Sequence, residues 1–150
     1  MIALIQRVSE AQVRIDEKVV GAIGRGVLAL IGVERTDEAA SGARLLERVL
    51  SYRVFPDAGG RMNLSLREVG GGLLLVPQFT LAADTHKGTR AGFSTAAAPE
   101  EARRLFDDLL ARAQAAYAPV SAGVFGAHMQ VALINDGPVT FLLTTHALRA

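Results

Sequence analysis

Apolar and polar residues alternate imperfectly over positions 2–8 and 11–15, the period of β-strands with one buried face. Asp16-Glu17-Lys18 is a polar turn, and "VVGAI" (19–23) returns as a second strand. "GVLALIGV" (26–33) is an unbroken apolar run flanked by glycines. It is too short for a helix and predicts a strand buried on both faces. Thr36 reads as a helix N-cap, with Asp37 and Glu38 in a first turn whose dipole favours negative charge. Leu45, Leu46, Val49 and Leu50 then recur at helical spacing, so the pattern predicts a helix ending near Tyr52. "PDAGG" is a loop, Leu64 and Leu66 mark a short extended piece, and Gly70-Gly71-Gly72 punctuates it before the buried strand "LLLVP" (73–77). A second helix opens at Pro99, with Glu100 and Glu101 beside it and Ala102, Leu105, Phe106, Leu109, Leu110 and Ala113 as its apolar stripe. "MQVALIN" and "VTFLLTT" close the chain as an expected hairpin around Asn135-Asp136-Gly137-Pro138. The order of elements is that of an α+β domain with a mixed sheet. Nothing in it repeats, and no stretch is of low complexity.

Composition narrows the functions open to this pattern. The chain has 150 residues, half of them hydrophobic, enough for one domain with a sizeable core. Sixteen Lys and Arg against fifteen Asp and Glu give a formal charge of +1, which announces no nucleic-acid binder yet leaves room for a local basic patch. With no cysteine, disulfides, thiolate nucleophiles and Cys-based metal sites are excluded. The first residues have no basic region ahead of a long apolar run, and no apolar stretch is long enough to span a bilayer, so the expectation is a soluble cytoplasmic protein.

The familiar catalytic constellations are missing. HExxH, the P-loop and GxGxxG are absent, and His86, His128 and His146 lack ligand spacing. His128 falls in an expected strand and His146 in an expected fraying tail, and Glu100-Glu101 and Asp107-Asp108 read as solvated helix faces. What remains is backbone chemistry. Pro77 ends a strand ahead of Gln78-Phe79-Thr80, and such a break turns consecutive N–H groups out of a sheet ladder. Two N–H groups aimed into a cleft make an oxyanion hole, which stabilises charge developing on a carbonyl oxygen. Thr80 is a candidate nucleophile with no base near it in sequence. The following segment "THKGTRAGF" places His86, Lys87 and Arg90 nearby, a charge that suits phosphate.

"PQFTLAAD" and "NDGPVTF" together, with the opening "MIALIQRV" and with "IGVE" and "RMNLS" between, resemble the D-aminoacyl-tRNA deacylase family from Met1 to about Leu143. The resemblance implies a partly open β-barrel-like subunit with two main helices, a single domain over 1–150 in which about 144–150 is an unmatched tail, and a homodimer. It implies hydrolysis of the ester between a D-amino acid, or glycine mischarged on tRNA(Ala), and the 3′ end of tRNA, with no metal or other cofactor. It implies that Gly137-Pro138, joined by a cis peptide, reaches into the partner subunit's site as a selectivity filter braced by Arg7. Phe79 and Thr80 would supply oxyanion-hole N–H groups beside Gln78, Phe125 and Met129 would help wall the site, and the tRNA's own 2′-hydroxyl would help activate water. One position departs. The family usually has Ser where this chain has Pro77, and a related animal branch that removes mischarged L-alanine carries Pro there with its Gly-Pro in trans. Arg7, Phe79 and "NDGPVTF" favour the D-aminoacyl form over that L-alanyl-tRNA alternative. A non-catalytic RNA-binding module is the rival from another class. A near-zero net charge and 5 % aromatic residues weigh against it, since base stacking and phosphate neutralisation need both.

Overall fold

A computed structural model describes residues 1–146. The elements in chain order are β1 (Ile2–Ile15), β2 (Lys18–Ile23), β3 (Gly26–Gly32), α1 (Ala39–Ser51), β4 (Phe55–Pro56), β5 (Met62–Leu64), α2 (Leu66–Val69), β6 (Gly72–Pro77), a 3-10 turn (Phe79–Ala82), α3 (Pro99–Ala116), β7 (Val120–Ala122) and β8 (Gln130–Thr144). The main sheet runs β2-β1-β3-β6-β7, with β8 also paired to β1; β4 and β5 form a separate pair. β3–β6 and β6–β7 are parallel and the remaining pairs antiparallel, so the sheet is mixed. Its two ends approach each other. Ser121 Oγ donates to Ala22 O at 3.1 Å, and a Cβ at Gly21 would stand 2.7 Å from Ala122 O. The result is the expected α+β subunit, a mixed sheet nearly closed into a barrel.

Burial on both faces explains the unbroken apolar runs. Along β6, Leu73 and Leu75 join the core that α1 and α3 cover, packed with Leu45, Val49, Leu50, Leu105, Phe106 and Leu109. Leu74 and Val76 point the other way, into the barrel interior with Val8, Val13, Ile23 and Leu28. Each such leucine contributes about 1.5–3 kcal/mol by leaving water. β3 and β6 touch closely, and a Cβ at Gly26 would sit 1.9 Å from Gly72 O.

Four local expectations are corrected. Residues 2–8 and 11–15 are one 14-residue strand, whose first half pairs with β3 and whose second half pairs with β2. α1 begins after Glu38, not Thr36. The Asp37 carboxylate is fully enclosed and turned back, accepting from Glu34 N at 2.7 Å and from the Met1 α-ammonium at 2.5 Å. The first helical turn therefore has no acidic residue, and Glu38 N donates to Ser41 Oγ instead. Leu64 ends the strand β5, but Leu66 opens the short helix α2: Ser65 caps it by accepting from Glu68 N, and Gly70 closes it at φ +66°. The apolar residue at 66 serves a helix face because the cap two residues after Asn63 redirects the chain. His128 is exposed and lies in the connection before β8, not in a strand.

The largest correction concerns the end of the chain. There is no terminal hairpin: β8 is a single strand antiparallel to β1 along its whole length. Asn135 pairs with Val8 and Thr140 with Gln6, so four residues, Asp136–Val139, leave the ladder as an excursion and rejoin it in the same direction. A hairpin would have reversed the chain. Here β1 continues as the template on both sides of the interruption. The first residues of the expected tail pack on the body: Thr145 N donates to Met1 O at 3.1 Å, and His146 Nε2 lies 2.8 Å from Asp37 Oδ1. Residues 147–150 lie outside the described part.

Candidate active site

The two sequence interruptions become two features of the sheet. At the end of β6, Pro77 is the last residue in register with β3, opposite Ile31. Gln78 N still donates to Ile31 O at 2.7 Å, and the chain then turns into the 3-10 turn, where Leu81 N donates to Gln78 O at 3.2 Å. The N–H groups of Phe79 and Thr80 fall between these two bonds. The first donors of a helical turn have no acceptor within it, and among the described residues neither of these two finds another in the protein. Phe79 and Thr80 are exposed, so the pair of donors opens to solvent. Gly32 permits this arrangement. A Cβ there would meet Leu81 Cβ at 2.8 Å and push the turn off the end of β3. Gln78 Nε2 donates to Thr80 Oγ1, which ties the hydroxyl to its neighbour and leaves it without a base among its hydrogen-bond partners.

The surroundings of this turn come from two other segments. The 123–129 connection packs against Pro77: a Cβ at Gly123 would lie 2.7 Å from Met129 Sδ and 3.5 Å from Pro77 Cδ. Met129 is thus brought beside the turn, and Val124 N donates to its sulfur at 3.4 Å. Phe125 faces α3, its ring 6.5 Å from Phe106 and 5.2 Å from the Arg103 guanidinium. On the other side, Asp84 and Gly92 bridge the base of a loop that folds Phe93 onto Phe79, with ring centroids 5.3 Å apart. Lys87 and Arg90 are exposed on that loop. Asp84 accepts from His86 N at 3.0 Å and lies 2.7 Å from His86 Nδ1. Those bonds, the backbone one foremost, hold the Asp84 carboxyl below its ordinary pKa.

The second feature is the excursion on β8. The Gly137–Pro138 peptide is cis, and Gly137 has φ +154°. A Cβ at this glycine would collide with Val139 N and Cγ2 at 2.7 Å. Arg7 reaches out from β1 to hold the excursion. Its Nε donates to Asp136 O at 2.7 Å while its Nη1 donates to Val54 O at 2.7 Å. Only 13 % of the Arg7 side chain is exposed. The excursion tip itself, Asp136 to Pro138, is exposed.

Within the chain the two features stand apart. β8 and β6 are separated by β1 and β3, and the excursion lies level with Arg7 while Gln78 lies beyond Ile31, the partner of Ala3. Three strand spacings across and about four residues along amount to roughly 15–20 Å. The sequence marks both interruptions but carries no sign of this separation. Nor does it single out Asn135, whose side chain spans the neck of the excursion, or the carbonyl of Val54 that anchors Arg7. An Asn directly ahead of Asp-Gly-Pro was the available signal.

Among the described residues, Glu34, Asp37 and His146 are the one group of three side chains close enough to share a metal ion. The Met1 α-ammonium stands among them, bonded to Glu34 Oε2 at 3.1 Å, to Asp37 Oδ1 at 2.5 Å and to Thr145 Oγ1 at 2.8 Å. A cation is already in place there. No helix among the described residues is long and apolar enough to cross a membrane.

The chain is 66 % identical over 143 residues to the D-aminoacyl-tRNA deacylase of Thioalkalivibrio sulfidiphilus, covering 95 % of this chain and 96 % of that one. It is 62 % identical over 145 residues to the protein of that name from Pseudomonas savastanoi pv. phaseolicola, covering 97 % and 100 %. Among solved structures it superposes on a c-Myc DNA unwinding element binding protein with TM-score 0.93, at 35 % identity over 98 % of this chain and 100 % of that one. A probable eukaryotic D-amino acid tRNA deacylase shares the fold at TM-score 0.78 and 17 % identity, covering 95 % and 97 %. The D-Tyr-tRNA(Tyr) deacylase family matches residues 4–144, and the chain, an enzyme by that kinship, belongs to it.

Proposed function

We propose that this chain hydrolyses the ester joining a D-amino acid to the 3′ end of tRNA, glycine mischarged on tRNA(Ala) included. Water adds to the ester carbonyl, the carbon–oxygen bond to the ribose breaks, and the ribose oxygen takes up a proton, giving free amino acid and tRNA. One observation carries the reading: two adjacent backbone donors, Phe79 N–H and Thr80 N–H, lie free at the end of a buried strand. Such donors stabilise the oxyanion of the tetrahedral intermediate without asking any side chain to ionise. Gln78 orients the Thr80 hydroxyl, Met129 and Pro77 wall the turn, and the 2′-hydroxyl of the substrate assists the water. Lys87 and Arg90 approach the phosphates of the tRNA end.

The filter is assigned to Gly137 and Pro138 of a second copy. Arg7 braces them, and their carbonyls press where an L side chain must go. The separation of roughly 15–20 Å within one protomer supports a homodimer, since a second subunit is what brings the two features to one substrate. Phe125 contributes from behind, through its packing on α3. The setting is the cytoplasm, where aminoacylated tRNA is found.

The test is turnover on D-Tyr-, L-Tyr-, Gly- and L-Ala-tRNA side by side. The expected result is hydrolysis of D-Tyr-tRNA with L-Tyr-tRNA spared. Pro77 is the residue that favours the other branch. If L-Ala-tRNA is cleaved faster than D-Tyr-tRNA, the L-alanyl reading replaces this one, and binding of tRNA without turnover of any substrate would leave an RNA-binding module.

A further inference from the structure

The excursion on β8 leaves the ladder after Asn135 and rejoins it at Thr140, so the neck between them has lost its normal cross-strand bonds. The Asn135 side chain fills that gap. Its Oδ1 accepts from Val139 N at 2.7 Å, and its Nδ2 donates to Val139 O at 3.3 Å and to Thr140 Oγ1 at 3.0 Å. One primary amide therefore serves both backbone groups of Val139, the residue after Pro138. A carboxamide is the only side-chain group of this length with an acceptor and a donor side by side. Arg7 grips the departing side at Asp136 O. Asn135 grips the returning side at Val139. Gly137 and Pro138 lie between the two grips.

We infer that Asn135 is a positioning residue for selectivity: it closes the neck of the 136–139 excursion and so sets where the Gly137 and Pro138 carbonyls point. The inference rests on the filter reading given above. Excluding an L side chain requires these carbonyls to stand their ground, and although β1 pairs both flanks and the Val139 side chain packs on the core, an excursion hydrogen-bonded only at Asp136 leaves the peptide groups of Val139 free to turn. Held at both ends it is a short rigid arch, and rigid sites are the ones that reject by sterics and by unpaired polar groups.

Asn135→Asp separates the two functions of the amide. It keeps the volume and the acceptor for Val139 N–H, but sets a carboxylate oxygen against Val139 O in place of a donor. The measurement is kcat/KM on L-Ala-tRNA and D-Tyr-tRNA, with thermal melting alongside. A role confined to folding lowers both substrates in proportion to the folded fraction and leaves their ratio where it was. The expected result is a rise of about tenfold in the L-to-D ratio, the weight of one part-buried hydrogen bond. Thr140→Val, which removes only the Oγ1 partner, gives a smaller rise in the same direction and serves if Asn135→Asp does not fold. Gly137→Ala is the control for the filter itself, because its Cβ deforms the arch directly. An unchanged ratio in Asn135→Asp beside a changed one in Gly137→Ala overturns the role of Asn135 alone. Unchanged ratios in both overturn the filter reading, and this inference with it.

Discussion

Replacing Arg7 by alanine removes the one side-chain hydrogen bond that, among the described residues, ties the β8 excursion to another element; the other tie is the packing of Val139 on the core. Its guanidinium makes two short bonds, Nε to Asp136 O and Nη1 to Val54 O, each 2.7 Å. The Asp136 carboxylate adds little, since its Oδ2 is 4.0 Å away on a side chain 60 % exposed. A hydrogen bond from a charged donor is worth about 1.5–3 kcal/mol net. The Val54 bond anchors the arginine, and of its two bonds only the one to Asp136 bears on the excursion. Arg7→Ala therefore releases about 1.5–3 kcal/mol of restraint, a factor of about 10 to 150 in the population of displaced arches. Not every displacement admits an L side chain, so the lower figure sets the expectation. The ratio of L-Ala-tRNA to D-Tyr-tRNA hydrolysis rises about tenfold, with L-alanine ahead of L-tyrosine because its side chain is smaller. Arg7→Lys keeps the charge but loses the planar fork that reaches two carbonyls at once, and falls between. Side-by-side deacylation of the aminoacylated tRNAs reads the ratio, and circular dichroism confirms that the variant is folded. A folded Arg7→Ala protein whose ratio moves less than about twofold refutes the bracing argument.

Thr80→Ala keeps its backbone N–H and so retains activity within about tenfold of the parent in single-turnover assays; an acyl-enzyme trapped on Thr80 overturns the backbone mechanism. A homodimer at micromolar concentration is expected in sedimentation equilibrium, and a fully active monomer contradicts the assignment of the filter to a second copy. Gly26→Ala drives a methyl into Gly72 O, and urea titration registers a loss of at least about 3 kcal/mol, the upper end for overpacking; a parental midpoint refutes it. Asp37→Ala takes from the buried Met1 ammonium its shortest partner while Glu34 and Thr145 remain, and costs about 1.5–3 kcal/mol by the same titration, the weight of one hydrogen bond to a charged group; a change under about 1 kcal/mol shows that Glu34 and Thr145 suffice.

The local pattern of the chain determined most of its elements, because burial has a period. Leu73–Val76 is apolar at every position since α1 and α3 cover one face and the barrel interior the other. The stripe on α3 and its Pro99 start follow from helix geometry and the missing proline N–H. The motifs around Gln78 and Gly137 marked two interruptions, and both proved to be places where the chain leaves the sheet. What the interruptions do was a tertiary matter. Asp-Gly-Pro between apolar runs is compatible with a reversal or with an excursion, and β1, more than 120 residues earlier in the chain, decides by pairing with both flanks. The start of α1 moved because the Asp37 carboxylate was claimed by the Met1 ammonium, 36 residues earlier in the chain and three strands away in sequence. Asn135 and Val54 matter only through atoms brought near them by the fold, a side-chain amide beside Val139 and a carbonyl beside Arg7. Periodicity reports which face of an element is buried, whereas partners between elements depend on register and on strand order, and those are set by the sheet as a whole.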